Sequence, residues 1–409
     1  MKPIGPIPPA FADQHDMLTI AGRTADAWVA EHGSPVFVYD FGGVRAQVER
    51  FRAAMPRGVR LHYAVKANPY APLVQAIAPL VDGLDVASAG ELAEVRVFKP
   101  AAAISFAGPG KRDAELDSAV RAGVTLNVES KGEARRAIAI GARLGVAPRL
   151  AVRVNPDLEL RGSGMKMGGR ASPFGVDAER VPALVREIVA SGADWRGFHI
   201  FAGSQALDSD ALIETQAATL ALAARLAEES GHAPPMINLG GGFGIPHFSG
   251  DRPIDLERIG AALHETLAAR GAMLADTAFA IELGRWLVGE AGVYLTRVVD
   301  RKESRGETFL VVDGGLHHQL AASGNFGTVV RRNYPVAIAH RMGQEPDDPV
   351  SVVGCLCTPL DRLADRVVLP RADVGDVIAI FIAGAYGLTA SPSAFLGHPA
   401  PAEVLAGAS

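Results

Sequence analysis

An alternation of short apolar runs and amphipathic helical stretches constrains the fold of this chain most strongly. The eight apolar runs occupy residues 61–65, 84–87, 104–107, 125–128, 150–154, 197–201, 236–239 and 279–281. Helical periodicity marks residues 90–98, 111–122, 131–144, 180–190 and 211–229 between them. This alternation is typical of parallel α/β architecture. Eight strands predict a closed (β/α)8 TIM barrel.

The pattern changes beyond about Gly292, where no long helical stretch follows. The later apolar runs occupy residues 293–299, 308–312, 351–353, 367–369 and 377–382. This change predicts a separate β domain. The opening dozen residues are rich in proline and predict an extended arm.

Composition excludes several classes of partner. The formal net charge of −5 comes with no long basic tract, which argues against nucleic acid. No apolar run approaches the length needed to span a bilayer, and the N-terminus lacks the apolar segment of a secretory signal. We therefore expect a cytoplasmic protein without a membrane partner.

The two cysteines, Cys355 and Cys357, are separated by one residue. A disulfide across that spacing would be strained in an extended segment, and two ligands fall short of a zinc site. We predict no metal from this count. Either both are packing thiols or one of them does chemistry.

Polar residues follow the predicted barrel strands, where barrel enzymes gather their active sites. The most informative is Lys66, at the end of the run in HYAVKANP. An amine pushed out of water loses basicity and can form a Schiff base with an aldehyde cofactor. The alternative is a strand-end lysine that reaches solvent.

HYAVKANP resembles the cofactor-lysine motif of the pyridoxal-phosphate decarboxylases of the alanine-racemase-like fold, which include diaminopimelate, ornithine and arginine decarboxylases. The resemblance covers nearly the whole chain. It implies a barrel over residues 35–290, and a β-sandwich built from residues 1–34 and 291–409. It also implies pyridoxal 5'-phosphate as the cofactor.

The segment LGGGFGIP places Gly240, Gly241 and Gly242 directly after an apolar run. Consecutive glycines let backbone N–H groups turn toward one anion, which suits a phosphate, although a tight turn is the alternative. Ser204 in AGSQ and Tyr386 in GAYGL match positions that bind the phosphate in the resembled family.

Glu282 in IELGRWLVG matches the acidic residue of the family's EPGR motif, with Leu283 in place of proline. A carboxylate there keeps the pyridine nitrogen protonated. The alternative is an ion pair with Arg285, which is also a candidate for binding a phosphate or a substrate carboxylate. Asp85 and Arg153 match cofactor positions as well. The alternative for Asp85 is to cap the following helix, which Ser88 can also cap. The alternative for Arg153 is an ion pair in the barrel interior.

The segment GCLCTPLD aligns with the family's cysteine motif and places Cys357 on the cysteine. The resemblance implies that this thiol returns a proton to the α-carbon, and that the segment reaches the partner's barrel in an obligate homodimer. Thr358 stands where diamine-forming members carry an acid. A neutral hydroxyl cannot neutralise a distant ammonium. We therefore do not expect lysine, ornithine or diaminopimelate as the substrate, unless Asp361 or another acid substitutes for the missing charge.

Two further segments depart from the family or extend beyond its motifs. Phe201 replaces the histidine that stacks on the cofactor, and it retains stacking without a charge. We predict that His199 faces away from it in a structural role. The glycine-rich segment ELRGSGMKMGGRASPFG, with Arg161, Lys166 and Arg170, resembles a mobile lid whose positive charge would suit an acidic or phosphate-bearing substrate. A solvated loop is the alternative.

We predict a pyridoxal-phosphate-dependent amino acid decarboxylase. SFAGPGK and DGGLHHQLAASGNFG look most like a branch associated with exosortase and exopolysaccharide gene clusters, and relatives act on aminoacyl groups held by an acyl carrier protein. An amino acid racemase on the same barrel is one alternative. A non-catalytic pyridoxal-phosphate-binding protein is another.

Overall fold

The computed structural model describes residues 1–157, 165–166, 171–324 and 331–408. The helices of this part of the chain are α1 Pro9–Ala12, α2 Ala25–His32, α3 Phe41–Ala54, α4 Ala71–Ile77, α5 Ala89–Val95, α6 Asp113–Ala122, α7 Lys131–Leu144, α8 Val181–Ala190, α9 Ser209–Ser230, α10 Leu256–Ala268 and α11 Arg285–Val288.

The strands are β1 Thr19–Ile20, β2 Arg23–Thr24, β3 Val36–Asp40, β4 Arg60–Ala64, β5 Gly83–Val86, β6 Ile104–Phe106, β7 Thr125–Val128, β8 Arg149–Asn155, β9 Met165–Lys166, β10 Val176–Asp177, β11 Asp194–Ile200, β12 Gly203–Ser204, β13 Met236–Asn238, β14 Ala278–Leu283, β15 Gly292–Ser304, β16 Glu307–Val312, β17 Val336–Ile338, β18 Asp348–Val353, β19 Arg362–Leu369, β20 Val377–Phe381 and β21 Ala402–Ala406.

The first domain is a closed barrel of eight parallel strands, which confirms the prediction. Its order is β4-β5-β6-β7-β8-β11-β13-β14, and the pairing of β14 with β4 closes it. Each predicted apolar run overlaps one barrel strand. Because the strands are parallel, their carboxyl ends meet at one mouth, as expected for an active site.

Local sequence signals explain how the helices begin and end between these strands. The Ser88 hydroxyl caps α5 by accepting from the Glu91 N–H, and the Ser130 hydroxyl caps α7 in the same way. Gly145 ends α7 in the left-handed conformation. The prediction that Ser88 caps its helix is confirmed, and this leaves Asp85 without a capping role.

The second domain is a mixed β-sheet with its longest strand, β15, at the centre. The sheet order is β17-β20-β15-β16-β18-β19, and β3 and β21 extend it beside β15. β3 therefore belongs to this sheet, although the predicted boundary at residue 35 assigned it to the barrel. Because β3 is apolar throughout, its sequence pattern fits either domain.

The N-terminal arm is only partly extended. A one-turn helix, α1, places Phe11 in the core, where its ring lies 5.5 Å from that of Phe381. Proline is tolerated in the first turn of a helix, because the N–H group that it lacks would have no partner within the helix. In the described part of the chain, no helix combines the length and apolar character required to cross a bilayer.

Candidate active site

The candidate site is a cavity at the carboxyl end of the barrel. Its lining brings together seven of the predicted residues, namely Lys66, Phe201, Ser204, Gly242, Glu282, Arg285 and Tyr386. They come from four separate strand ends and from the β domain. The clustering predicted from strand-end positions is therefore present in the fold.

Lys66 lies in a single turn of 3-10 helix that follows β4. Tyr386, in the β domain, donates its backbone N–H to the carbonyl oxygen of the neighbouring Ala67 at 2.7 Å. The Lys66 amine lies 5.7 Å from the centre of the Phe201 ring. Its side chain is exposed, so this chain alone does not remove the amine from water as predicted. The position of the amine at the mouth is unaffected by that difference.

Glu282 is buried near the end of β14 and contacts His199, not Arg285. The His199 Nε2 atom lies 3.0 Å from a Glu282 carboxylate oxygen, in a direction outside hydrogen-bond geometry. Burial alone would raise the pKa of Glu282, but the neighbouring His199 side chain and the charges of Lys66 and Arg153 hold it well below its usual range. The carboxylate is therefore ionised at neutral pH.

The prediction that His199 faces away from Phe201 is wrong. Both side chains reach the site, His199 through Glu282 and Phe201 through Lys66. Two residues separated by one position share a face of a regular strand, because side chains alternate with a period of two. His199 thus has an electrostatic role beside the site.

The glycine run serves close packing as well as access to the cavity. A Cβ atom on Gly241 would lie 1.9 Å from the Glu282 carbonyl oxygen. Gly240 and Gly242 both have positive φ, where a side chain is strained. Gly242 lines the cavity and leaves it open to an anion. The run therefore brings this loop against β14, beside Glu282.

Arg285 is held between an aromatic ring and a neutral histidine. Its guanidinium carbon lies 4.7 Å from the centre of the Tyr386 ring, and its Nη1 lies 3.4 Å from His247 Nε2. Because a guanidinium can only donate, His247 Nε2 accepts from Arg285, and Nδ1 carries the proton that it donates to the Ile245 carbonyl oxygen at 2.8 Å. Burial and the Arg285 charge lower the pKa of His247 to about 4, so the ring accepts from Arg285 as a neutral group.

Arg153 and Asp85 are buried polar residues of the barrel. Arg153 pairs with Glu129 at 2.8 Å, which is the interior ion pair that the sequence left open. Asp85 contacts His62 at 3.1 Å and accepts from the Ser105 hydroxyl at 2.5 Å. Neither is among the described residues that line the cavity. A cofactor role for either stays a prediction, while their contacts support the barrel.

The segment from Gly354 to Asp361 joins β18 to β19 and carries both cysteines. Cys357 is exposed, and neither Cys357 nor Thr358 is among the described residues that line the cavity of their own chain. Asp361 is buried, and its two oxygens accept the backbone N–H groups of Leu316 and Leu356. This geometry assigns Asp361 to loop support and gives no support to a substrate contact.

Most of the predicted lid lies outside the described residues, including Arg161 and Arg170. The backbone of β9, which contains Lys166, pairs antiparallel with β12 at Gly203 and Ser204. This pairing brings one short part of the segment to the rim of the cavity.

Two residues of the site were missed from the sequence. Gln205 lines the cavity and donates from its side-chain amide to the Ile245 carbonyl oxygen at 2.6 Å. His247 orients Arg285 as described above. Gln205 directly follows Ser204 and has positive φ, which is unusual for a residue other than glycine. His247 carries no signal of this kind, because its partner lies 38 residues away.

The fold and the cavity define a barrel enzyme that offers an amine, a carboxylate, a guanidinium and a glycine loop to one ligand. The family model described as pyridoxal-dependent decarboxylase, pyridoxal binding domain, matches residues 41–289. The chain belongs to this family. Its cofactor is accordingly pyridoxal phosphate, and the donor set of the cavity fits that group.

Individual relatives agree with this assignment. The L-glutamyl-[BtrI acyl-carrier protein] decarboxylase of Niallia circulans is 36% identical over 379 residues, which are 91% of this chain and 88% of that protein. The diaminopimelate decarboxylase of Archaeoglobus fulgidus is 33% identical and covers 97% of this chain and 93% of its own length. The chain is thus similar to amino acid decarboxylases over nearly all of its length.

A solved structure shows the same architecture. The structure of diaminopimelate decarboxylase from M. jannaschii in complex with L-lysine has a TM-score of 0.87 at 24% identity, over 96% of this chain and 93% of that chain. The barrel followed by a β-sandwich, predicted from the sequence, is confirmed.

Proposed function

We propose that this decarboxylase removes the α-carboxylate of an amino acid, with Lys66 as the residue that binds the cofactor covalently. One observation carries the assignment of Lys66: its amine shares a cavity with Glu282 and Arg285. Lys66 would hold the aldehyde carbon and Glu282 the pyridine nitrogen. Gly242, Ser204 and Arg285 would hold the phosphate.

Pyridoxal phosphate, when bound, supplies an acceptor for the electron pair that the departing carboxylate leaves. The protein contributes charge and position. Glu282 is ionised and buried, so it would stabilise a protonated pyridine nitrogen more strongly than an exposed carboxylate would. Phe201 presents an apolar ring beside Lys66 and brings no proton that would compete with the Glu282 charge.

Cys357 is our candidate for returning the proton to the α-carbon, acting in the cavity of a second copy of the chain. It is exposed and does not line its own cavity. Leu360, an exposed apolar residue, lies on the same loop as Cys357. Two more exposed apolar residues, Phe395 and Leu396, shortly precede His398, which contacts Cys355. An apolar surface of this kind favours burial against a partner chain, here in a homodimer.

The substrate proposed is an aminoacyl group held by an acyl carrier protein. Thr358 supplies no charge for the far ammonium of a diamino acid. The relative from Niallia circulans is named for a glutamyl group on a carrier protein, and it is 36% identical. A free amino acid without a second ammonium group is the alternative within the same chemistry.

The test is carbon dioxide release by the purified enzyme from matched pairs of free and carrier-bound amino acids. We expect release from the carrier-bound form at a kcat/KM at least about tenfold higher, since the carrier adds binding energy. Equal or greater release from the free acids would overturn the carrier proposal alone. Exchange of the α-hydrogen in deuterated buffer without carbon dioxide would overturn decarboxylation.

Lys66→Ala tests the cofactor residue independently of substrate. We expect loss of the visible absorption of bound cofactor and a fall in turnover of about a thousandfold or more. Ser204→Ala is the matched control, because it alters the proposed phosphate end of the cavity and leaves the amine in place. Retained absorption in Lys66→Ala, with borohydride fixing the cofactor to another lysine, would contradict the assignment.

Two finer expectations stay predictions. The association with exosortase and exopolysaccharide gene clusters depends on motif resemblance alone. The cytoplasmic location depends on sequence composition.

A further inference from the structure

Three potential metal ligands outside the cavity come together in the β domain. One ligand atom each from His317, Cys355 and His398 lies within 4.8 Å of the others. They come from the loop after β16, the loop after β18 and the segment before β21. The cysteine count in the sequence argued against a metal, but it did not include histidines that only folding brings near Cys355.

His317 and the neighbouring His318 are both buried, but they differ in their hydrogen bonds. His318 is buried, but its Nδ1 lies 3.0 Å from the Tyr294 hydroxyl and its Nε2 lies 3.2 Å from the Pro399 carbonyl oxygen. His317 is 0% exposed, and neither of its ring nitrogens has a hydrogen-bond partner among the described residues. A buried polar group without a partner is costly, unless a ligand satisfies it.

The spacing of the cluster approaches that of a tetrahedral metal site. Zinc binds thiolate sulfur at about 2.3 Å and imidazole nitrogen at about 2.0–2.1 Å, which places the two ligand atoms about 3.6 Å apart. Cys355 Sγ lies 3.8 Å from His398 Nδ1. Rotations of the His317 and His398 rings, with shifts of about an ångström, would bring all three atoms to a common ion.

A buried aspartate beside the cluster holds two of its loops in place. The Asp361 carboxylate accepts N–H groups from Leu316 and Leu356, the residues next to His317 and Cys355. One aspartate thus positions two of the ligand loops. Gly354 and Gly315 leave room for it, since a Cβ atom on either would lie within 2.5 Å of the carboxylate.

We infer that His317, Cys355 and His398 form a zinc site that ties together three segments of the β domain. Zinc binding replaces the thiol proton of Cys355, which leaves to solvent, with a metal–sulfur bond. Three protein ligands leave a fourth position for water or another donor. Cys355 lies two residues before Cys357, so the ion would also fix the loop that presents Cys357.

Protection of the thiols in the holoenzyme tests the site directly. The protein is treated with a chelator, divided, and alkylated with iodoacetamide with and without one equivalent of Zn²⁺. Mass spectrometry then follows each cysteine. We expect zinc to slow alkylation of Cys355 at least about tenfold, and to leave the exposed Cys357 nearly unchanged. Equal alkylation of Cys355 with and without zinc would overturn the site.

Cobalt provides a second measurement that does not depend on reactivity. Difference spectra against the cobalt-free holoenzyme should show a thiolate-to-cobalt band and the visible bands of tetrahedral Co²⁺, at one ion per chain. Cys355→Ser should remove the thiolate band and weaken binding by at least about 100-fold, since even outer-shell changes cost 10–100-fold. Cys357→Ser is the matched control and should keep both.

A thiolate band that survives in Cys355→Ser, or that disappears in Cys357→Ser, would contradict the ligand set. Circular dichroism and cofactor absorption establish that each variant is folded. If Cys355→Ser does not fold, the protection experiment on the unaltered protein still decides the question. None of these readouts uses decarboxylation, so their failure is distinguishable from failure of the proposed function.

Discussion

The barrel mouth and the loops of the β domain both gather reactive side chains, but they do so in different ways. In the mouth, Lys66 and Glu282 each lie at the end of a parallel strand, and β4 pairs directly with β14. In the β domain, His317, Cys355 and His398 lie on irregular loops that meet only through tertiary contacts. The strand-end residues of the barrel can be predicted from the sequence, because the topology is regular. The cluster in the β domain depends on the path of the loops.

The largest expected effect is on turnover in a heterodimer of a Lys66 variant and a Cys357 variant. This experiment tests whether the barrel mouth of one chain and the β-domain loop of another form one site. Lys66→Ala should reduce turnover by about a thousandfold or more, and Cys357→Ala by about 10²–10⁴-fold if it supplies a proton. A heterodimer of the two, purified through two different tags, contains one site with both groups intact if sites are shared. We expect about half of the unaltered activity.

The outcome separates the two arrangements clearly. If Cys357 serves its own chain, the heterodimer has no intact site and shows only the activity of its parents. A Lys66→Ala heterodimer with the unaltered chain is the control for assembly. Unchanged turnover in Cys357→Ala would remove that thiol from the chemistry altogether.

Gly241→Ala sharpens the comparison by testing a contact that regular topology creates in the mouth. The new Cβ would lie 1.9 Å from the Glu282 carbonyl oxygen, a backbone atom that cannot rotate away. We expect a loss of about 1–3 kcal/mol in the free energy of unfolding, measured by chemical denaturation, and weaker cofactor binding. Gly110→Ala is the control, because its Cβ meets nothing within 4 Å. Equal stability of the two variants would refute the packing role.

The smallest effect concerns His247, whose burial beside Arg285 lowers its pKa from 6.5 to about 4. The unfolded chain binds more protons below pH 6.5, so this contribution is present above pH 6.5 and is lost as the pH falls toward 4. Between pH 7 and pH 5 the free energy of unfolding should fall by about 2 kcal/mol through this residue. His247→Asn should show a shallower pH dependence in chemical denaturation. Identical slopes in the two proteins would exclude the effect.

Several parts of the fold and site follow from particular residues in the sequence. The apolar runs predicted all eight barrel strands, because a parallel strand buried on both faces must be apolar. The motifs around Lys66, Gly242 and Glu282 predicted residues that share the cavity. The orientation of His199 was also accessible, since the period of two places it on the face of Phe201.

Other features needed the coordinates because their signals are not local. β3 is as apolar as a barrel strand, and only its pairing with β15 and β21 assigns it to the second domain. Asp361 reads as a substrate acid beside Thr358, but two backbone N–H groups from separate loops occupy its oxygens. His247 acquires its role from Arg285, far along the chain.

The sequence by itself determined the barrel, the chemistry of the strand ends and the family, because a repeating pattern and local motifs specify them. Only the tertiary structure decided which polar groups are already partnered and which are not. It placed Asp361 in support of two loops, and it left the ring nitrogens of His317 with no hydrogen-bond partner among the described residues, beside Cys355 and His398. Hydrogen-bond satisfaction depends on contacts between distant segments, and no local pattern of residues specifies such contacts.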